Sequence, residues 1–166
     1  VFDNPLPLIA RLRDAVSHYA FQSFGEDKLA VMEPKVVQMI RDTRKVNSVT
    51  DFLAVDTERA KFGAHMNLFH REYPLLLTPA VSVAPFSADL GAPPGYDGQN
   101  EWWPFTVPFN FTRQPAASVP CGFTRTGLPV GLQIVGPHFG EEKILGAAHA
   151  YQKETDWHRR LPEKFK

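Results

Sequence analysis

Apolar positions along this chain change period near its middle. In the first half they recur at spacings of three and four. Ile9, Leu12, Val16 and Tyr19 form one such stripe, with Arg11, Arg13 and Asp14 facing away, which predicts an amphipathic helix. Asn4-Pro5-Leu6-Pro7 leads into it, and Phe21 and Phe24 close it before Gly25. Glu26 to Glu33 fits no single period. Pro34 then suits a first helical position, and Val36, Val37 and Ile40 predict a short helix running into Arg41 to Lys45, a solvated charged face. The strongest helical pattern spans Ser48 to Glu72. Ser48 and Asp51 have capping-box spacing, and Phe52, Val55, Phe62, Met66, Phe69 and Tyr73 keep the rhythm with Arg59 interrupting. At 1.5 Å per residue such a helix is roughly 35 to 40 Å long, and it is read as core-facing rather than as a membrane-surface helix.

Beyond Pro74 the apolar residues cluster in short bounded runs. Leu75 to Thr78, Ala116 to Val119 and Val130 to Val135 are each closed by Pro or Gly, which predicts buried strands. Arg125-Thr126-Gly127 supplies a reversal between the last two, with Gly127 free to take a positive φ. Val130 to Val135 is apolar on both faces, as for a strand covered on two sides, and Gly131 leaves room for a close neighbour. Ala84 to Glu101, rich in Pro and Gly, is a loop or lid-like excursion. Trp102 to Phe111 is the most aromatic window. Gly140-Glu141-Glu142 opens a last helix with Ile144, Leu145, Ala148 and Tyr151 as its stripe, and Trp157 and His158-Arg159-Arg160 follow.

Composition narrows the classes. Eighteen basic and eighteen acidic side chains cancel, so nothing steers the chain toward nucleic acid or an anionic membrane. No apolar run reaches the ~20 residues of a membrane span. A single cysteine excludes an intrachain disulfide framework and fits a reducing, cytoplasmic setting. The first residue is Val1 rather than Met, without a charged-then-apolar leader, so the expectation is a chain beginning inside a longer one.

The run PFTVPFNFTRQPAASVPCGFTRTGLPVGLQIVGPHF, Pro104 to Phe139, followed by AAHAYQKETDWHRRLPE, resembles the C-terminal part of amidase-signature hydrolases. The resemblance is dense from Pro104 to Glu163 and extends weakly back to about Ser48. It implies an α/β fold, a mixed β-sheet flanked by helices, with residues 1–47 as a helical lead-in and 48–166 as the recognised core. It also implies hydrolysis of a carboxamide to a carboxylate and ammonia or amine, with no metal or organic cofactor. The family's Ser–cis-Ser–Lys triad lies in a Gly/Ser-rich segment N-terminal of this region. The chain contains no Gly-Gly, Ser-Ser, Gly-Ser or Ser-Gly dipeptide, so no residue receives a catalytic role. Implied partners are a small-molecule amide and the N-terminal part of the same fold, with a homo-oligomer as a further one. The alternatives are an amidotransferase subunit passing ammonia from glutamine to an acylated tRNA, and a non-catalytic scaffold or binding module. TRQPAASVPCGF reads closer to stand-alone amidases.

Five sets of residues carry the remaining candidate chemistry. Cys121 has no evident base or helix dipole beside it and is read as a structural thiol, with a nucleophile as the alternative. The histidines at 18, 65, 70, 138, 149 and 158 show no metal-ligand spacing, and Ser118 lies outside any G-x-S-x-G elbow. Trp102, Trp103, Phe105, Phe109 and Phe111 are either core or one wall of an acyl pocket, with Trp103 as the contact singled out. Arg113 stands where the family often has Gly, as in TGQPA. It is either a substrate-facing cation or a surface arginine on a rearranged loop.

Overall fold

A computed structural model of the chain describes residues 4–43, 48–96 and 102–161. The end of the charged run after Thr43, the tail of the Pro/Gly-rich excursion at 97–101 and residues 162–166 lie outside the described residues. The chain divides into two units, Val1–Phe62 and Gly63–Lys166. The division falls within a helix.

The first unit is helical. Helix α1 (Leu6–Phe21) begins where Asn4 Oδ1 accepts a hydrogen bond from the Leu6 amide at 3.0 Å, with Pro7 in the first turn. Its expected stripe is only partly covered: Ile9 and Leu12 are half-buried, whereas Val16 and Tyr19 are exposed. The ambiguous stretch contains a single turn, α2 (Glu26–Leu29), which buries Leu29. Helix α3 (Pro34–Thr43) starts at its proline, as the fixed φ of that residue favours, and buries Ile40. Arg41, in the charged stretch, pairs with Glu26 at 2.9 Å on the surface.

Helix α4 (Val49–Glu72) opens with the expected box. Ser48 Oγ accepts from the Asp51 amide at 3.1 Å, and Asp51 Oδ2 accepts from the Ser48 amide at 3.4 Å. Both bonds satisfy amides that a helix start leaves without partners. Pro74 halts it. His70 Nδ1 lies 2.9 Å from the Tyr73 carbonyl, near the last turn of the helix. Val55 and Met66 are buried, but Phe52 and Tyr73 lie exposed.

The second unit is built on a three-stranded sheet in the order β1-β3-β2, formed by β1 (Leu76–Pro79), β2 (Ala116–Phe123) and β3 (Pro129–Val135). Both pairings are antiparallel, so the mixed pairing expected of the whole fold does not occur among the described residues. The β2–β3 turn is held by Thr124, whose amide donates to the Leu128 carbonyl at 2.8 Å. Gly127 there takes φ 80°. A bulge interrupts β2: Pro120 faces Gly131 and Gly122 faces Val130, which leaves Cys121 as the extra residue. Pro120 is tolerated where no further strand pairs with β2 among the described residues.

The two sheet faces are covered by different elements. Helix α6 (Glu141–Glu154) lies over β2 and β3, where Val119, Ile134, Ile144 and Ala148 form a buried cluster. Leu75, Leu132, Ala147 and Tyr151 pack around that cluster. Leu145 is a correction to the expected stripe, because it is 65% exposed and turns away from the sheet. On the opposite face Gln133 is buried and donates to Thr78 Oγ1 at 2.8 Å and to the Phe105 carbonyl at 2.6 Å. That face is covered by the aromatic window. Two-sided cover therefore holds for the C-terminal half of β3, while Pro129 and Val130 are exposed.

Candidate functional site

Helix α5 (Val107–Thr112) draws part of the aromatic window into the fold, burying Phe109 and Phe111. It ends because Arg113 adopts the left-handed conformation, φ 61° and ψ 31°. The Gln114 amide then turns back to the Phe109 carbonyl at 3.0 Å. Thr112 Oγ1 donates to Gln114 Oε1 at 2.9 Å, and Gln114 Nε2 donates to the Gly136 carbonyl at 3.2 Å. Phe105 is half-buried and supplies the carbonyl that Gln133 binds, while Thr106 Oγ1 donates to the Ala80 carbonyl at 2.7 Å. Three of the sequence candidates, Phe105, Phe109 and Phe111, thus sit where they hold the sheet.

Trp102 is placed differently. Its ring meets Phe86 edge-on at 5.4 Å and Trp103 at 4.4 Å, and its carbonyl accepts from Ser82 Oγ at 3.0 Å. Together with the segment Val81 to Phe86 and the turn end of the β2–β3 hairpin at Thr124 and Pro129 to Gly131, it lines a cleft of about 280 Å³. Val81, Ala84, Pro85, Phe86, Pro129 and Val130 supply apolar walls, and no charged side chain among the described residues lines it. Its hydroxyls are already engaged. Ser82 is bonded to the Trp102 carbonyl, and Thr124 Oγ1 accepts from the Leu128 amide at 3.0 Å. Trp103 reaches this wall through Trp102.

Gly131 explains how the cleft wall closes. A Cβ there would meet Ser118 Oγ at 2.7 Å and Ala80 Cβ at 3.1 Å, and the Ala80 amide donates to the Gly131 carbonyl at 3.0 Å. The missing side chain brings the chain leaving β1 against β3, and so carries Val81 to Phe86 over the hairpin. The segment Val81 to Phe86 is absent from the sequence candidates. The signals present are Gly131 and the Pro-rich excursion, and neither reveals that the two face one another.

Arg113 and Trp102 are not brought together. Arg113 precedes the end of β2 that pairs with Val135, whereas the cleft lies at the Gly131 end of β3. Four residues of strand separate those ends, roughly 13 Å at the usual rise. Cys121, half-buried in the bulge, has its Sγ 3.5 Å from the Val130 carbonyl. Among the described residues no three His, Cys, Asp or Glu side chains converge as metal ligands would. No helix among them is long and apolar enough to cross a membrane. A second hollow, of about 420 Å³, belongs to the first unit and is lined by Val16, Tyr19, Val49 and Phe52 among others.

Known proteins account for this arrangement. One component of the glutamyl-tRNA(Gln) amidotransferase of Thiobacillus denitrificans, its A subunit, is 54% identical over 59 residues, which are 36% of this chain and 12% of that protein. The solved 6-aminohexanoate cyclic dimer hydrolase superposes with a TM-score of 0.71 at 26% identity, over 86% of this chain and 31% of that one. A bacterial aryl acylamidase of the amidase signature family superposes with a TM-score of 0.65 at 26% identity, over 93% of this chain and 32% of that one. The chain therefore matches about a third or less of the length of these relatives. The family described as Amidase matches residues 11–145, reaching well upstream of Ser48. Most of the chain lies within that match, and the chain belongs to the amidase family of amidase-signature hydrolases.

Proposed function

We propose that this chain is part of an amidase that hydrolyses a carboxamide to a carboxylate and ammonia or amine, and that its Trp102 cleft receives an uncharged, apolar organic group of the substrate. The observation that carries the second clause is the lining: aromatic and aliphatic walls, no charged side chain among the described residues, and hydroxyls already bonded within the protein. An aryl or alkyl group entering such a cleft loses water contact at little polar cost. The reacting groups of this reading lie outside the 166 residues. A serine would attack the carbonyl, a bridging serine and a neutral lysine would move the protons, and backbone amides would hold the oxyanion. That constellation needs a Gly/Ser-rich loop, and this sequence has none.

A second reading, an amidotransferase subunit taking ammonia from glutamine, is favoured by the 54% identity to such a protein. The cleft argues the other way. Free glutamine carries an ammonium and a carboxylate, and both would lie unpaired against these walls at a cost of several kcal/mol.

The test uses the intact parent protein and ammonia release from a bulky aryl amide, a small aliphatic amide and glutamine. Trp102→Ala should lower kcat/KM for the aryl amide by about 10- to 200-fold, the scale of a lost pocket contact, and spare the small amide. Trp103→Ala should follow the same pattern more weakly, since Trp103 touches the cleft only through Trp102. A proportional fall on all substrates, with a collapsed melting temperature, would make Trp102 a core residue and end the pocket reading. Glutamine hydrolysis exceeding both other amides would establish the amidotransferase reading instead.

A further inference from the structure

The Pro/Gly-rich excursion leaves the sheet after β1 and returns at Trp102, and two hydroxyl groups join its legs. Thr106 Oγ1 donates to the Ala80 carbonyl at 2.7 Å, and Ser82 Oγ donates to the Trp102 carbonyl at 3.0 Å. The bonds form successive rungs, Ala80 to Thr106 and then Ser82 to Trp102, so the two legs run side by side in opposite directions. The inner rung is reinforced. Beside it Gln133 Nε2 donates to the Phe105 carbonyl at 2.6 Å, and the Trp103 carbonyl accepts from the Thr106 amide at 3.2 Å as the chain turns into α5. The outer rung lies at the cleft, where Ser82, Phe86 and Trp102 are all wall residues.

Trp102 depends on that rung more than its neighbours do. The bond its carbonyl accepts from Ser82 is the one hydrogen bond it makes to a described residue. Its indole Nε1, the group that ordinarily fixes how a buried tryptophan ring is turned, has no acceptor among those residues. The ring is therefore placed by edge-on packing against Phe86 at 5.4 Å and Trp103 at 4.4 Å, and by the backbone beneath it. Edge-on ring pairs are favourable over centroid separations of about 4.5–7 Å, so packing by itself leaves the ring room to slide.

We propose that Ser82 is a positioning residue for this cleft: by holding the Trp102 carbonyl it fixes the distance between the Trp102 ring and the leg from Val81 to Phe86, and so sets the width open to the substrate's apolar group. The inference rests on the reading of the cleft given under the proposed function. Ser82 acts through the ring and not on the substrate, because its hydroxyl hydrogen is already given to the carbonyl. Without that bond the wall becomes adjustable. A bulky aryl group packs against it less well, whereas a small amide does not reach it. The loss falls on binding shared by ground state and transition state, so KM rises while kcat holds.

The test is steady-state kinetics of the intact parent protein on the bulky aryl amide and the small aliphatic amide. Ser82→Ala should raise KM for the aryl amide about two- to tenfold, the scale of one net hydrogen bond, with kcat unchanged. Ser82→Thr keeps a hydroxyl at an exposed position and should restore KM. A double-mutant cycle separates positioning from contact: once Trp102→Ala has removed the ring, Ser82→Ala should have no further effect, because nothing is left for it to place. An effect of Ser82→Ala that persists without the ring would mean that Ser82 touches the substrate itself, and it overturns the proposal. So does a wild-type KM in Ser82→Ala, a KM that Ser82→Thr fails to restore, or a fall in kcat that tracks a lowered melting temperature. Failure of the cleft reading looks different, since Trp102→Ala then lowers the rate on every amide alike.

Discussion

Arg113 shows how much one residue can disclose. Its departure from the glycine usual in the family is visible in the sequence, and the backbone shows why glycine is usual there: the α5 cap requires φ 61°. Arg113→Gly should therefore raise stability by about 1 kcal/mol, read as a shift of the denaturant midpoint at constant slope. An unchanged or lower midpoint would mean that the guanidinium makes a stabilising contact exceeding the backbone strain. Phe139, the second such residue, is not legible in the sequence. Nothing in PHFG announces a left-handed phenylalanine, because its φ of 59° belongs to a turn that the Gly140 amide closes on the Pro137 carbonyl at 2.9 Å. Cys121 falls between these cases. The sequence identifies a thiol without a base, but only the strand register shows it to be the extra residue of a bulge.

At the scale of elements, the signals that proved legible are local. The Ser48 box, Pro34 at a helix start, Pro74 at a helix end and Gly127 in the hairpin turn each rest on one residue's own backbone chemistry. Ser48→Ala should cost about 1 kcal/mol, measured by chemical denaturation, because the Asp51 amide loses its acceptor. What periodicity could not supply was the order β1-β3-β2, or which side of each strand is covered. An apolar strand residue looks alike in sequence whether α6, the aromatic window or solvent lies over it. Gln133 illustrates the gap: it interrupts an apolar strand, yet it is buried and links Thr78 on β1 to the Phe105 carbonyl. Gln133→Leu keeps the volume but strands that carbonyl, at an expected cost of about 1–3 kcal/mol. The exposed Gln38 on α3, changed likewise, should cost within about 0.5 kcal/mol. Equal effects at the two positions would remove Gln133 from the core network.

For the whole molecule, the decisive question is whether these 166 residues do chemistry unaided. The candidate site is a wall without a nucleophile beside it. Its serine, Ser82, spends its hydroxyl hydrogen on the Trp102 carbonyl. The chain's one thiol is Cys121, whose Sγ bonds the Val130 carbonyl. The chain purified by itself should therefore release no ammonia from aliphatic or aromatic amides above the buffer blank. It should still bind an apolar aryl amide weakly, with quenching of Trp102 fluorescence as the readout and loss of that signal in Trp102→Phe as its control. Trp102→Phe is the suitable control because the indole Nε1 is buried with no acceptor among the described residues, so its removal sacrifices no hydrogen bond. Turnover by the chain alone that disappears in Cys121→Ala would reverse the assignment, making the bulge a catalytic device and the cleft its substrate wall. Turnover surviving that substitution would demand a different nucleophile within these residues. Silence in the assay, together with quenching, would identify the chain as the part of an amidase that recognises the substrate while residues elsewhere cut it.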